Sequence, residues 1–189
     1  MKYLIANWKG FGTLQILDNF CEEFSNFEYD TTKVCFIFAP PVILLQYARI
    51  NLPNHIYVAS QYSSLNQTTG AITFDALSSI NCQYTLCNHP ELQSKTPYIM
   101  KSNNLDIRYI FYLNEYNVDT YFHIKASIFV YEPKNKSILI DNLPRPICFA
   151  GSVDANNAKH YLNKFDGLCI GKSSQNIKEI KSIIRLLES

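Results

Sequence analysis

Lysine and arginine never gather into a run in this 189-residue chain; charged residues make up only 17% of it and the formal net charge is +1. A nucleic-acid surface needs a basic stripe, so no nucleic-acid partner is expected. Long apolar runs are missing as well. The greasiest window, residues 34–45, is split by Pro40-Pro41 and falls short of the roughly 20 residues a membrane-spanning helix requires. No membrane association is expected. The N-terminus passes straight into Tyr3-Leu4-Ile5-Ala6, too short for a secretory signal core, which points to a cytoplasmic protein. Metal-ligand spacings are equally absent. Cys21, Cys35, Cys82, Cys87, Cys148 and Cys169 form no Cys-x-x-Cys pair, and four of them lie inside apolar strand-like runs, as small core hydrophobes do in a reducing compartment. His55, His89, His123 and His160 are scattered. Neither a metal nor another cofactor is expected.

What the chain does contain is an alternation of short buried strands and covering helices, and its length suits one domain over residues 1–189. Apolar runs at residues 2–6, 33–39, 55–60, 83–87, 108–113, 128–131, 146–150 and 165–170 read as strands covered on both faces, as parallel sheets require. Between them, Leu14, Leu17, Cys21 and Phe24 recur at helical spacing, and Pro40-Pro41 open a helix with Ile43, Leu44 and Tyr47 on its apolar face. A further helix is expected around Ala155, Ala158 and Leu162. The clearest of all places Ile177, Ile180, Ile183, Ile184 and Leu187 on one face. Residues 115–126 and 134–145 show little helical periodicity, so two covering helices are expected to be stunted or missing. Residues 63–70 form a polar excursion of the kind that projects from a domain.

In a barrel of parallel strands, chemistry gathers at the C-terminal ends of the strands. Glu132, between Tyr131 and Pro133, stands at such an end and is a candidate general base, against the plainer reading of a solvated loop glutamate. Lys9 follows the first strand. His89 follows the fourth, and the Pro90 after it suits the first position of a helix, whose dipole would keep the imidazole neutral; a capping or surface histidine is the alternative. Gly151-Ser152 and Gly171-Lys172 end the seventh and eighth strands as glycine turns that open helices, an arrangement that cradles an anion.

The order of these strand ends resembles the triosephosphate isomerase family across almost the whole chain. Ala6-Asn7-Trp8-Lys9 is similar to that family's opening Asn-x-Lys, and Gln61 with Gly70-Ala71-Ile72-Thr73-Phe74-Asp75 to its interface loop. Asn88-His89-Pro90-Glu91 stands for Gly-His-Ser-Glu, Tyr131-Glu132-Pro133 for Tyr-Glu-Pro, Phe149-Ala150-Gly151-Ser152-Val153 for Tyr-Gly-Gly-Ser-Val, and Asp166-Gly167-Leu168-Cys169-Ile170-Gly171 for Asp-Gly-Phe-Leu-Val-Gly. The resemblance implies a TIM (β/α)8 barrel, shortened after strands 5 and 6. It also implies a homodimer that interconverts dihydroxyacetone phosphate and glyceraldehyde 3-phosphate. By the same resemblance Glu132 shuttles the proton, His89 polarises the carbonyl, Lys9 stabilises the enediolate and Asn7 orients the site. Gly151, Ser152 and Gly171 would hold the substrate phosphate through backbone amides, with Lys172 beside them as a charge or as a surface lysine. Gln61 and Thr73 belong to the dimer loop.

The departures are definite. A barrel of this type runs to about 250 residues. The family's lid after Tyr-Glu-Pro, Val-Trp-Ala-Ile-Gly-Thr-Gly-Lys, is replaced by Lys134-Asn135-Lys136-Ser137-Ile138, its arginine pair by Leu92-Gln93, and the second glycine of the last phosphate turn by Lys172. Two readings therefore stand: an isomerase impaired by loss of its lid, or a catalytically degenerate barrel kept to bind a phosphometabolite or as a structural protein.

Overall fold

The computed structural model describes residues 1–64, 67–92, 107–121, 124–135 and 143–189. Gln93, His123 and residues 136–142 lie outside the described residues, and with them half of the replaced arginine pair and most of the segment in the lid's place.

Eight strands close into a parallel barrel in chain order: β1 (Lys2–Asn7), β2 (Val34–Ala39), β3 (Tyr57–Ser60), β4 (Tyr84–Cys87), β5 (Arg108–Leu113), β6 (Ile128–Tyr131), β7 (Ile147–Ala150) and β8 (Gly167–Ile170), with β8 returning to β1. Each strand is covered on both sides, which explains the unbroken apolar runs: all six residues of β2 and all four of β4, β6, β7 and β8 are buried. Alternate residues such as Ile5, Ile37, Ile110 and Val130 fill the barrel, while Leu4, Phe36, Phe111 and Phe149 face the outer layer. Gly167 is required by this closure. A Cβ there would lie 2.1 Å from the Tyr3 carbonyl oxygen, on backbone that cannot swing away. Gly167→Ala is expected to cost about 3 kcal/mol, the upper part of the usual overpacking range, read as a lowered denaturant midpoint with unchanged slope.

The outer layer consists of α1 (Leu14–Ser25), α2 (Val42–Asn51), α3 (Phe74–Ser79), α4 (Val118–Tyr121), α5 (Ala158–Leu162) and α6 (Ile177–Glu188). Side-chain oxygens of Thr13, Thr73 and Asn176 accept backbone N–H groups at the starts of α1, α3 and α6, so each of these helices begins at a capping residue. Two residues assigned to buried faces by periodicity are exposed. Leu14 is 50% and Ile43 87% accessible, because α1 buries Leu17, Phe20, Cys21 and Phe24, and α2 buries Leu44, Leu45 and Ala48. In α2 the stripe is rotated by one position from the expected one, whereas in α1 the expected Leu17, Cys21 and Phe24 are buried and only the first position, Leu14, is not.

As expected, the covering layer is thin after β5 and β6. The single turn α4 lies between β5 and β6, and no helix lies between β6 and β7 among the described residues. The strands beneath are nevertheless sealed. Phe111 is fully buried with its ring 5.3 Å from that of Tyr121, Phe129 is 4% exposed, and Tyr131 stacks on Phe165. The polar excursion is also rooted: Ser63 is buried and accepts the Thr85 hydroxyl at 3.0 Å. Among the described residues, no helix is long and apolar enough to cross a membrane.

Candidate active site

The strand order brings the sequence candidates to one end of the barrel. Asn7, Lys9, His89, Glu132, Gly151, Ser152, Gly171 and Lys172 all line a single cleft of about 900 Å³. Gln61 and Thr73 do not line it. Gln61 instead reaches the loop beneath, donating its amide to the Lys9 and Ala39 carbonyls at 2.7 and 3.0 Å. Within its own chain it therefore ties the end of β2 to the turn after β1. Thr73 caps α3 and bridges to Ser64.

Backbone conformation marks the same end of the barrel. Lys9, Asn88 and Ser152 have φ of +54°, +58° and +57°, and Gly151 has +134°. A non-glycine residue in the left-handed region costs about 1 kcal/mol or more and persists only where its neighbours hold it there. Lys9 is held on both sides. Its N–H donates to Asn7 Oδ1 at 2.9 Å, and its carbonyl accepts from Gln61. Trp8, packed edge-on against Phe11, Phe20 and Phe38, donates its indole N–H to the Ser174 carbonyl at 2.8 Å. That bond fastens the Lys9 turn to the segment after β8.

Lys9, Glu132 and His89 are among the titratable groups that line this cleft, beside Asp154, Lys172 and Glu179. Lys9 Nζ pairs with Glu91 Oε1, and that bond holds the Glu91 carboxyl below its ordinary range. Burial pushes the Glu132 carboxyl above its ordinary range; Lys9 pulls it back down, and Glu91 pushes it up further. The Glu132 N–H donates to the Leu113 carbonyl at 2.8 Å, extending the β5–β6 pairing through the base candidate itself. Glu115 accepts the N–H groups of Lys134 and Asn135, both at 2.9 Å, and so pins the chain just beyond Pro133.

His89 is buried, and burial drives its pKa down to about 4, with Lys9 acting in the same direction and Glu91 against it. Residues 90–92 form a turn closed by the Leu92 N–H on the His89 carbonyl, and the rest of the helix expected to start there falls outside the described residues. His89 Nδ1 accepts the Glu91 N–H at 3.3 Å, which leaves Nε2 to carry the proton of a neutral ring.

The glycine turns also differ in detail from expectation. After Gly151 the chain makes an Asp154-capped turn, in which Asp154 Oδ1 accepts the N–H groups of Asn156 and Asn157, and α5 starts only at Ala158. Gly171 opens a 3-10 turn over Lys172–Gln175, with α6 following at Ile177. Both loops still border the cleft, and Lys172 is exposed there. Motif reading missed Tyr112, which lines the floor between His89 and Cys169. Within an apolar strand it carries no local signal.

Comparison with known proteins agrees with this geometry. The family model for triosephosphate isomerase matches residues 2–103. Curated triosephosphate isomerases from Francisella tularensis are similar over 96 residues: that of subspecies mediasiatica is 29% identical, and those of subspecies holarctica and novicida 28%. Each match covers 49% of this chain but only 38% of the relative's length. The matched half contains Asn7, Lys9, Gln61, Thr73 and His89; Glu132 and the glycine turns lie beyond it and join the site through the barrel's closure. With more than half of its residues matched by the family model on an eight-stranded parallel barrel, the chain belongs to the triosephosphate isomerase family.

Proposed function

We propose that the chain interconverts dihydroxyacetone phosphate and glyceraldehyde 3-phosphate without a cofactor. The observation that carries the proposal is the convergence of a raised-pKa carboxylate, a neutral imidazole and a lysine on one cleft bordered by two glycine turns. Glu132 takes a proton from C1 of the ketone as His89 Nε2–H hydrogen-bonds the carbonyl oxygen, and Lys9 stabilises the negative charge that develops on that oxygen. The protonated Glu132 then delivers its proton to C2. The hydroxyl proton at O1 passes to O2 by way of the imidazole, leaving the aldehyde. Amides of Gly151, Ser152, Gly171 and Lys172 hold the phosphate, and the Lys172 ammonium adds charge where the family has glycine.

The test is a coupled assay in both directions with purified protein. Turnover above the uncatalysed rate supports the proposal; triose phosphate binding without turnover supports a degenerate barrel that only binds. One observation bears on how cleanly the cleft would turn over. Glu115 holds residues 134 and 135 where the family's lid begins, and the sequence that follows lacks the lid motif. Without a closing lid the enediolate meets water and expels phosphate. A sizeable fraction of turnovers is therefore expected to release inorganic phosphate, measured by phosphate detection alongside the coupled assay.

We also propose a homodimer. Leu14, Val42 and Ile43 expose apolar side chains at the starts of α1 and α2, a patch suited to burial against a second copy together with the loop carrying Thr73. Sedimentation should give a dimer, and Ile43→Asp a monomer.

A further inference from the structure

We propose that Ser173 and Glu179 are positioning residues that fasten the turns after β7 and β8 to each other as one preformed phosphate cradle; the proposal rests on the isomerase reading of the cleft and deepens its phosphate end. Each turn is braced from within. In the β7 turn, Asn157 donates its side-chain amide to the Ser152 carbonyl and accepts the Asp154 N–H, both at 3.0 Å. In the β8 turn, the Ser174 hydroxyl and N–H both return to the Gly171 carbonyl. Such bonds fix the shape of a turn but not its distance from its neighbour. Pairing of the two strands ends with Ala150 against Cys169, so beyond that point contacts between the turns themselves set their spacing. Two side chains make them. The Ser173 hydroxyl donates to the Val153 carbonyl, and the Ala155 N–H donates to Glu179 Oε2 at 2.9 Å, so the segment after β8 grips the β7 turn on either side of Asp154.

Both side chains border the cleft together with Gly151, Ser152, Gly171 and Lys172. Amides from two separate turns can converge on one anion only while the spacing of the turns is held, and holding it before binding spares the ligand the cost of ordering them. The β7 turn needs such a hold: Ser152 sits at φ +57°, a conformation that persists only where neighbours enforce it. A carboxylate beside an anion site opposes the anion, so the charge of Glu179 is a cost there and its bond to Ala155 is the compensating gain. The sequence after Pro133 lacks the family's lid motif, which leaves the cradle to be set by these cross-bonds. The same 3-10 turn accepts the Trp8 indole N–H at Ser174, so it joins the phosphate end of the cleft to the Lys9 turn.

The test is the affinity for inorganic phosphate, measured by titration calorimetry on the wild type, Ser173→Ala, Glu179→Gln and Glu179→Ala. Ser173→Ala removes one hydrogen bond without changing charge and is expected to weaken phosphate binding by about fivefold. Glutamine and alanine at position 179 are both uncharged, but only glutamine keeps an oxygen for the Ala155 N–H. Glu179→Ala should therefore bind phosphate about fivefold more weakly than Glu179→Gln, a comparison that separates the bond from the charge. A role in folding alone would lower the denaturant midpoint and leave these affinities alike. Equal affinity in Ser173→Ala and the wild type, or in the two Glu179 variants, would overturn the positioning role, as would a wild type that turns over triose phosphate without binding inorganic phosphate. The expected order of affinities in a protein whose wild type has no turnover would uphold it and overturn the isomerase reading instead.

Discussion

Glu132→Gln is expected to lower kcat/KM by roughly 10³-fold, in the middle of the range for removing a general base, and at the same time to make the protein more stable at neutral pH. The two effects share one cause. Burial raises the Glu132 carboxyl above its ordinary range, so the folded state resists its ionisation. A raised carboxyl contributes stability fully present below its unfolded pKa and lost as pH rises through the folded one, so at neutral pH the ionised group is a liability. Glutamine removes that liability along with the base. The wild-type acid limb of kcat/KM should accordingly lie above the ordinary carboxylate range. His89, driven down to about 4, adds no titration near neutrality. Steady-state rates across pH and denaturant unfolding of both proteins check the pair of effects together.

Lys9→Met is expected to cost about 10²- to 10³-fold in kcat/KM, the scale for removing one preorganised group from a developing oxyanion. It should also move the acid limb upward. Lys9 lowers the Glu132 pKa, and Glu91, once stripped of its partner, still raises it. Both changes disfavour the ionised base, so their signs agree. Adding Glu91→Gln to Lys9→Met should draw the acid limb back toward the wild-type position without restoring the rate. A pH series of kcat/KM on the two variants separates these contributions.

Much of the barrel was legible in the sequence because parallel strands buried on both faces must be apolar throughout, and Pro40, Pro133 and Gly171 mark where three of them end. The site was legible where chemistry sits beside such a marker, as with Glu132 before Pro133. What was not legible depends on register or depth. Tyr112 reads as one more core aromatic, and only closure of the barrel brings Cys169 of β8 to its hydroxyl. His89 was expected to be neutral through a helix start that falls largely outside the described residues; burial, which no local pattern displays, acts in that same direction. Gln61 was assigned to an interface because of the loop it precedes; that its amide also reaches the Lys9 carbonyl of its own chain depends on barrel closure. Ile43 shows the limit of helical spacing, which locates a stripe only to within a neighbouring position.

The central claim is that Glu132 carries a proton between adjacent carbons of a triose phosphate held in this cleft. Incubating dihydroxyacetone phosphate with the protein in deuterated water, and following the C1 protons by NMR, tests it most directly. The expected result is replacement of a single C1 proton by deuterium together with appearance of glyceraldehyde 3-phosphate, both lost in Glu132→Gln. Exchange no faster than in buffer alone, or equal exchange in the Glu132→Gln protein, would contradict the account.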